Sequence, residues 1–556
     1  MKKQIIELLK KRGIEGVEEI EEFLSDRPKK TYDPLLLHNM EAGVDFILSA
    51  VREKKQLCIY GDYDADGITS VTLLMQFLGH LTDRLEYYIP SRFEEGYGLN
   101  NDALDKIKAG GADAVISVDC GSVSYSEVEH AKEIGLEIMV TDHHSITDVM
   151  ADCILINPKQ PLCGYPFPEL CGCGIAFKLA QAVQRRLELP KEYLNEVLDL
   201  VAIGTIGDIV PLLDENRTLV KYGLKKIRTS KRPGLVSLIR ETKLIQQNID
   251  SENVAYVIVP HLNAAGRMSH AAAGVELLLS KDESEAAPKV AKLIEYNAMR
   301  RRIQDETFEK CMELSELQCM KDGSYMNFCI ITSEEVHEGI AGIVAGKIKD
   351  RLKRPVIIFT PSGENGEFLK GSGRSTERIN LYTLLKTCED LYERFGGHAG
   401  ACGMLIKKEN FEAFSQRIQK ETEQLLLRDP SLSEQGPDAE LFLSPAEADA
   451  EFAGELEKLA PFGNKNERPL ICMEGVSLSG VTYMGENNKH VRFSAFLPPD
   501  RRPLSCVLFG EAQEKKSILE SGRRMSLTGS LSLQQWQGIQ RVRFTVGDIF
   551  ENNDTI

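Results

Sequence analysis

Apolar positions along the chain change their spacing several times, and each change marks a different kind of element. The first stretch mixes apolar positions with Glu7, Lys10, Lys11 and Arg12, the pattern of amphipathic helix. From Gln56 to about Pro211, short apolar runs take over: Leu57-Cys58-Ile59-Tyr60, Ala114-Val115-Ile116-Ser117-Val118, Glu137-Ile138-Met139-Val140 and Cys153-Ile154-Leu155-Ile156. Helical spacing lies between them, from Ile68 to Leu81 and from Ser124 to Ile134. Such alternation predicts a parallel sheet covered by helices. Residues 216–325 read as a helical connector, and 326–427 return to mixed α/β with a strand at Pro355-Val356-Ile357-Ile358-Phe359. An acidic, Pro- and Ser-bearing linker at 428–440 follows. Short, evenly spaced strands at Val491–Phe496, Leu504–Phe509, Met525–Ser530 and Val542–Val546 then predict a small all-β barrel or sandwich. The expected organisation is a helical segment at 1–50, an α/β domain at 51–215, the connector, a smaller α/β lobe, the linker and an all-β domain at 441–556.

The length of 556 residues agrees with several cores, at roughly 100–200 residues per domain. No apolar run reaches the roughly 18–20 residues that cross a bilayer. Met1-Lys2-Lys3-Gln4 leads into a charged helix without the features of a signal peptide, so no membrane and a cytoplasmic location are expected. The 13 cysteines form no Cys-x-x-Cys pair. Cys163, Cys171 and Cys173 are read as buried thiols in a reducing compartment rather than as a zinc site. A net charge of −17 by itself argues against nucleic-acid binding, but local patches decide contact. Lys221, Lys225, Lys226, Arg228, Lys231 and Arg232 form one basic stretch and Arg300, Arg301 and Arg302 another, and both read as solvated helix faces.

Candidate chemistry gathers in four distant segments, each expected just after a strand at one edge of the sheet. They are Asp62-Tyr63-Asp64-Ala65-Asp66-Gly67, Asp119-Cys120-Gly121, Asp142-His143-His144 and Gly204-Thr205-Ile206-Gly207-Asp208. The first is not a calcium loop, because Leu73 stands where that loop needs Glu and a strand, not a helix, precedes it. Several carboxylates in one pocket repel one another and lose hydration, and a divalent cation is the natural compensation. Mixed carboxylate and imidazole ligation suits Mn²⁺, or Mg²⁺ with waters completing its shell.

These segments, in this order and spacing, resemble the DHH phosphoesterase superfamily, named for the run Asp142-His143-His144. The long form Gly61-Asp62-Tyr63-Asp64-Ala65-Asp66-Gly67-Ile68-Thr69, with Leu262-Asn263-Ala264-Ala265-Gly266-Arg267 and Pro211-Leu212, is similar to its single-strand-specific exonuclease branch. The resemblance implies that Asp64, Asp66, Asp119, His143 and Asp208 hold one or two Mn²⁺ or Mg²⁺ ions, with Asp119 bridging. It makes His144 a catalytic group facing the phosphate or the attacking water. Asp62 is a second catalytic candidate, as a further ligand or an orienting group. Many relatives carry a metal-binding His where this chain has Tyr60, so either that metal is held by fewer protein ligands or Asp62 compensates. The second lobe resembles the DHH-associated domain through His337-Glu338-Gly339-Ile340-Ala341-Gly342, Lys370-Gly371-Ser372-Gly373-Arg374-Ser375 and Phe395-Gly396-Gly397-His398. Arg267, His337, Ser372, Gly373, Arg374, Gly397 and His398 are its expected phosphate contacts. Glycines would let N–H groups approach phosphate and Arg374 would grip it, unless the run is only a tight turn packing two strands. The last segment, entered at Pro461-Phe462-Gly463-Asn464, resembles an OB-fold. Trp536, the one tryptophan, is its candidate stacking platform, although a core role is the commoner one for Trp.

The implied activity is 5′→3′ hydrolysis of single-stranded DNA to 5′-mononucleotides in DNA repair and recombination, with the polarity resting on the resemblance alone. Single-stranded DNA, a single-stranded-DNA-binding protein and a helicase are the implied partners of a monomer. Two alternatives stand beside it: a phosphodiesterase for short oligonucleotides or cyclic dinucleotides, and a non-catalytic replication scaffold. The extra barrel argues against the first and the filled ligand positions against the second.

Overall fold

Five strands, each followed by a loop on the same rim, organise the first lobe. In the computed structural model, which describes residues 2–92, 95, 96, 98–146, 149–317, 326–363, 366–433, 439–536 and 539–551, they are β1 (Leu57–Gly61), β2 (Leu85–Tyr88), β3 (Ala114–Val118), β4 (Glu137–Thr141) and β5 (Ile154–Ile156). All neighbours are parallel, in the order β2-β1-β3-β4-β5. The strand order reverses between β1 and β3, the crevice where such sheets bind ligands. Helices α1 (Lys3–Lys11), α2 (Val17–Leu24) and α3 (Met40–Glu53) precede the sheet. Helices α4 (Ala65–Leu78), α5 (Asn101–Ala109) and α6 (Tyr125–Glu133) are the crossovers. Beyond the sheet come α7 (Gly172–Arg186), α8 (Glu192–Asn195), α9 (Leu198–Gly207) and α10 (Asp214–Thr229).

The segment ending in Asp208, expected after a strand, follows a helix instead. Leu198–Ile206 is buried almost without break among α4, α7 and α10. A helix covered all round is apolar all round, so its sequence reads like a buried strand.

The chain folds into two compact units, Met1–Leu262 with Gly274–Ala287 and Pro437–Ile556, and Asn263–Ala273 with Pro288–Gly436. The first unit therefore also contains the C-terminal strands β11 (Leu441–Phe442), β12 (Ile471–Met484), β13 (His490–Leu497), β14 (Asp500–Leu508), β15 (Met525–Trp536) and β16 (Ile539–Glu551). They run in the order β11-β12-β13-β14-β16-β15, and pairing of β12 with β15 closes the barrel. Its core is shared with the N-terminal helices: Ile5, Leu8, Leu9 and Phe23 lie in one cluster with Phe452, Met473, Phe493 and Phe544. Arg12 secures the junction through a two-pronged bond to Glu440, with both N···O distances 2.7 Å. The polar face of α1 hid this partnership in the sequence.

The second unit is built on β6 (Cys329–Thr332), β7 (Val356–Ser362), β8 (Phe368–Arg374), β9 (Tyr392–His398) and β10 (Ala401–Lys407), ordered β6-β7-β8-β10-β9. Phe359, Leu369, Met404 and Phe414 fill one face of this sheet. The helix Glu338–Leu352 packs its Ile340, Val344 and Ile348 with Ile331 and Ile358 in a separate cluster. Among the described residues, no helix is long and apolar enough to cross a membrane.

Candidate metal centre

Sheet register brings the acidic segments together. Gly61 pairs with Val118, and Val118 with Thr141, so the residues that follow, Asp62, Asp119 and Asp142, share one rim. Asp119 continues the ladder through its N–H to the Thr141 carbonyl (3.0 Å), then turns sharply with φ +62. Asp64 caps α4 by accepting the N–H groups of Asp66 (2.9 Å) and Gly67 (3.2 Å). This close turn requires glycine at 67, where a Cβ would lie 2.3 Å from the Asp62 carbonyl oxygen. Asp66, on the first turn of α4, accepts the N–H groups of Gly172 (2.6 Å) and Cys173 (2.9 Å) at the start of α7. Asp208 arrives at the C-terminal end of α9.

His143 is the hub. Its Nε2 lies 3.1 Å from Asp119 Oδ1 and 3.9 Å from Asp66 Oδ2, and its Nδ1 lies 3.5 Å from Asp208 Oδ2. Among the described residues, neither ring nitrogen has a hydrogen-bond partner, nor do Asp119 Oδ1 and Asp62 Oδ1, although all four atoms are buried. Two trios offer ligand atoms within 4.8 Å of one another: Asp66, His143 and Asp208, and Asp62, Asp64 and Asp119. A third group, Asp119, Asp142, His143 and His144, links them, sharing His143 with the first trio and Asp119 with the second.

Electrostatics agree with this geometry. Burial first, then the neighbouring carboxylates, holds Asp62, Asp119 and Asp208 well above the usual carboxylate range. Burial and Asp64 push Asp66 up to about 6, against the pull of its α7 hydrogen bonds. Burial, with the charge of His144, pushes His143 down to about 3, so the imidazole stays neutral and its nitrogens keep their lone pairs for a cation. A pocket of partly orphaned, mutually repelling carboxylates beside a neutral imidazole fits a divalent cation.

Asp142 plays a different part from the acidic groups around it. Its carboxylate accepts the N–H groups of Ser122 (2.9 Å), His143 (2.7 Å) and His144 (3.2 Å), together with His144 Nδ1 (2.8 Å). Despite burial, these bonds and the two histidines hold it below the usual range. Asp142 thus orients both histidines. Burial works against charge on His144, but the bond to Asp142 outweighs it and, with Asp208 and Asp62, pushes His144 up to about 9.

Tyr60 is directed away from the pocket. Its hydroxyl donates to the Gly98 carbonyl (2.8 Å), accepts from Asn100 Nδ2 (3.2 Å), and its ring stacks on Tyr88. Two glycines also shape the site: Gly172, which no motif marks, and Gly204, which opens the segment ending in Asp208. A Cβ on Gly172 would lie 2.6 Å from Asp119 Oδ1, and one on Gly204 would lie 2.7 Å from Asp66 Oδ1. The small-residue run Cys171-Gly172-Cys173-Gly174 at the head of a helix was the available signal. Among the described residues, no group able to hold a metal includes a cysteine.

The second unit gathers its own expected residues. His337 caps the helix Glu338–Leu352 by accepting the Gly339 N–H (3.1 Å), and Arg267 donates to the Gly339 carbonyl (2.7 Å). Arg374 crosses the same helix where it has no side chain: a Cβ on Gly342 would lie 2.6 Å from its Nη2. His398 is held down by burial and then by the charge of Arg374, so these two groups are neighbours. The run Lys370–Arg374 is neither a phosphate loop nor a turn. It lies in β8, paired on both sides, so the Gly371 and Gly373 backbones belong to the ladder. The absent side chains of Gly371 and Gly373 make room for Phe359 and Met404, and for Ile357 and Leu381, respectively. Ser372 and Arg374 alternate onto the opposite face, while Gly397 and His398 close β9.

On the barrel, Arg492, Arg502, Arg541 and Arg543 line one groove of about 520 Å³. The Trp536 side chain lies outside the described residues.

This fold and rim are those of the DHH phosphoesterases: residues 56–205 match the DHH family N-terminal domain and residues 324–424 the DHHA1 domain. Residues 438–548 match the RecJ OB domain. The chain belongs to the RecJ family. It is 35% identical to the single-stranded-DNA-specific exonuclease RecJ of Bacillus subtilis over 548 residues, 98% of this chain and 67% of the relative. Against RecJ of Escherichia coli it is 34% identical over 484 residues, 83% of this chain and 81% of the relative. The crystal structure of RecJ from Thermus thermophilus in complex with Mn²⁺ superposes with a TM-score of 0.80 at 27% identity, covering 99% of this chain and 76% of that one.

Proposed function

We propose that this chain is a metal-dependent exonuclease that degrades single-stranded DNA in the 5′→3′ direction to 5′-mononucleotides, in repair and recombination. The observation that carries the reading is the pair of ligand trios joined through Asp119 and His143, with four buried polar atoms that find no hydrogen bond among the described residues. Asp64, Asp66, Asp119, His143 and Asp208 would hold Mn²⁺ or Mg²⁺, and Asp62 completes the trio that Tyr60 does not serve. Divalent cations bound there would draw charge from a phosphate oxygen and make water acidic enough to attack in line.

The chain's own residues do the rest. Asp142 fixes the orientation of His143 and His144. His144, half-exposed at the rim and hydrogen-bonded to Asp142, would offer a proton to a phosphate oxygen or the departing nucleotide oxygen. In the second unit, Arg374 and His398, with Arg267, His337, Ser372 and Gly397, form the phosphate-facing group. Gly373 serves it by fitting the strand under Leu381 and Ile357 rather than by offering its N–H. The arginine groove of the barrel collects the backbone of a single strand, with Trp536 as a stacking platform. The protein works as a cytoplasmic monomer, supplied by a helicase and a single-stranded-DNA-binding protein.

Digestion of strands labelled at one end or the other, in Mn²⁺, Mg²⁺ or chelator, tests chemistry, polarity and metal together. Labelled mononucleotide released first from the 5′ end, and only with metal, is expected. A dinucleotide cleaved faster than a long strand, or bound metal without nucleotide release, would sink the reading.

A further inference from the structure

The turn that follows Asp208 is held in a conformation its own sequence disfavours. Asp208 ends α9 with ordinary helical angles, φ −80 and ψ −5. Ile209 comes next with φ +59. Helices commonly leave through a left-handed residue, but that residue is usually Gly or Asn, because a Cβ there crowds the following carbonyl. A β-branched side chain makes the position an outlier, and such outliers persist only where surrounding structure enforces them. The Ile209 side chain is 70% exposed, so its own packing does not enforce it.

Asn464 does. Its side-chain Nδ2 donates to the Ile209 carbonyl (2.6 Å), and its backbone carbonyl accepts the Leu212 N–H (2.8 Å). One residue of the barrel's entry segment therefore closes both ends of the turn. That segment is itself fastened to the first lobe. Arg217 of α10 donates to the Ala460 carbonyl (2.9 Å), and Ser251 donates to the Phe462 carbonyl (2.7 Å). Asn466 ties the segment internally to the carbonyls of Leu459 (2.9 Å) and Pro461 (2.8 Å). Gly463 lies flat on Leu212, where a Cβ would come within 2.6 Å of Cδ1.

We propose that Asn464 is a positioning residue for the metal pocket: through the Ile209 carbonyl it holds the strained turn that aims the Asp208 carboxylate at His143. The inference rests on the proposed role of Asp208 as a ligand. It gives the C-terminal barrel a second task, setting the shape of a site to which it contributes no ligand. Without the clamp, Ile209 relaxes toward negative φ and carries Asp208 away from His143.

Mn²⁺ affinity of the full chain, measured by calorimetry without DNA, reads this directly. Asn464→Ala should weaken binding about tenfold, the lower end for an outer partner of a metal ligand. Asn464→Asp, which keeps size and backbone but cannot donate to a carbonyl, should do the same. Adding Ile209→Gly to Asn464→Ala should bring affinity back to within about twofold of the parent, because glycine takes this conformation unaided. A merely structural loss would not be repaired by removing a side chain. Asp208→Ala is the reference. If it weakens Mn²⁺ binding while both Asn464 substitutions do not, or if Ile209→Gly fails to restore affinity, the clamp is wrong. If Asp208→Ala itself leaves affinity unchanged, the reading of the pocket fails instead.

Discussion

Replacing Asp119 by Asn keeps the shape of the pocket and removes its carboxylate, with opposite effects expected on the metal-free and the metal-bound protein. Asp119 Oδ1 is buried without a hydrogen bond among the described residues, and burial with Asp66, Asp64, Asp208 and Asp62 disfavours its charge. Asp66 sets the scale. Its pKa, raised from 3.8 to about 6, means that ionising it costs the metal-free fold about 3 kcal/mol, at about 1.4 kcal/mol per tenfold in proton affinity. The folded-state pKa lies above the unfolded one, so this stability is intact below about pH 4 and is lost as the pH rises through 6. At pH 7.5 in chelator, Asp119→Asn should therefore stabilise the fold by about 1–3 kcal/mol, the cost of an unsatisfied buried group. That raises the unfolding temperature of the first unit by roughly 2–4 °C per kcal/mol. Metal reverses the order. At a thousand times its Kd, Mn²⁺ stabilises the parent by about 4.1 kcal/mol, and a variant with a broken site gains far less. Scanning calorimetry in chelator and in saturating Mn²⁺ should show the two proteins exchanging places. An Asp119→Asn protein that melts below the parent in both buffers, or that gains as much from Mn²⁺, would refute the reasoning.

His143→Ala should reduce nucleotide release at least about a hundredfold while leaving retention of a long strand on a filter unchanged, since it removes a proposed ligand whose ring nitrogens make no hydrogen bond among the described residues. Gly204→Ala places a Cβ 2.6 Å from Cys173 Cβ and 2.7 Å from Asp66 Oδ1. This overpacking should cost about 1–3 kcal/mol in denaturant titration, with weaker Mn²⁺ binding, and normal values for both would contradict the packing account. Charge reversal of Arg492 and Arg543 to Glu should raise KM for long strands. It should also flatten the log-log salt dependence of their binding by about 1.4, two phosphates' worth, while dinucleotide hydrolysis stays as it was.

The strands of the first lobe were legible because a parallel sheet covered on both faces demands unbroken apolar runs, as at Leu57–Tyr60 and Ala114–Val118. β2 gives no such signal, because Leu85-Glu86-Tyr87-Tyr88 sits at the sheet edge, half-buried throughout, and carries no such run. α9 carried the run but not the geometry, since a fully buried helix lacks the polar stripe that reveals its period. Gly371-Ser372-Gly373 misled in the opposite direction, because glycines chosen to fit under Phe359 and Leu381 look in sequence like glycines chosen for a turn. The amphipathic character of α1 was plain, but its partner, the core around Phe452 and Phe493, lies hundreds of positions away and no local pattern names it. Site chemistry was more legible than site mechanics. The acidic and imidazole side chains announced themselves by type and order, whereas the glycines at 172 and 204 and the orienting bonds of Asp142 appear only once three helices and a sheet rim are assembled.

Asp62 and Tyr60 show how far one substitution reaches. The Tyr60 hydroxyl is bound to the Gly98 carbonyl and its buried ring is stacked on Tyr88, so turning it to the rim would break both contacts. The trio on that side therefore consists of carboxylates alone, Asp62, Asp64 and Asp119, while the other contains an imidazole, Asp66, His143 and Asp208. Oxygen-only donors suit hard cations such as Mg²⁺, and an imidazole shifts preference toward a transition metal such as Mn²⁺. The two halves of the pocket are thus chemically unequal, with Asp119 joined to both. Among the described residues its carboxylate stands with Asp62 and Asp64 in one cluster and with Asp142, His143 and His144 in another, so its loss would reach both halves, whereas loss of Asp64 or Asp208 would reach one.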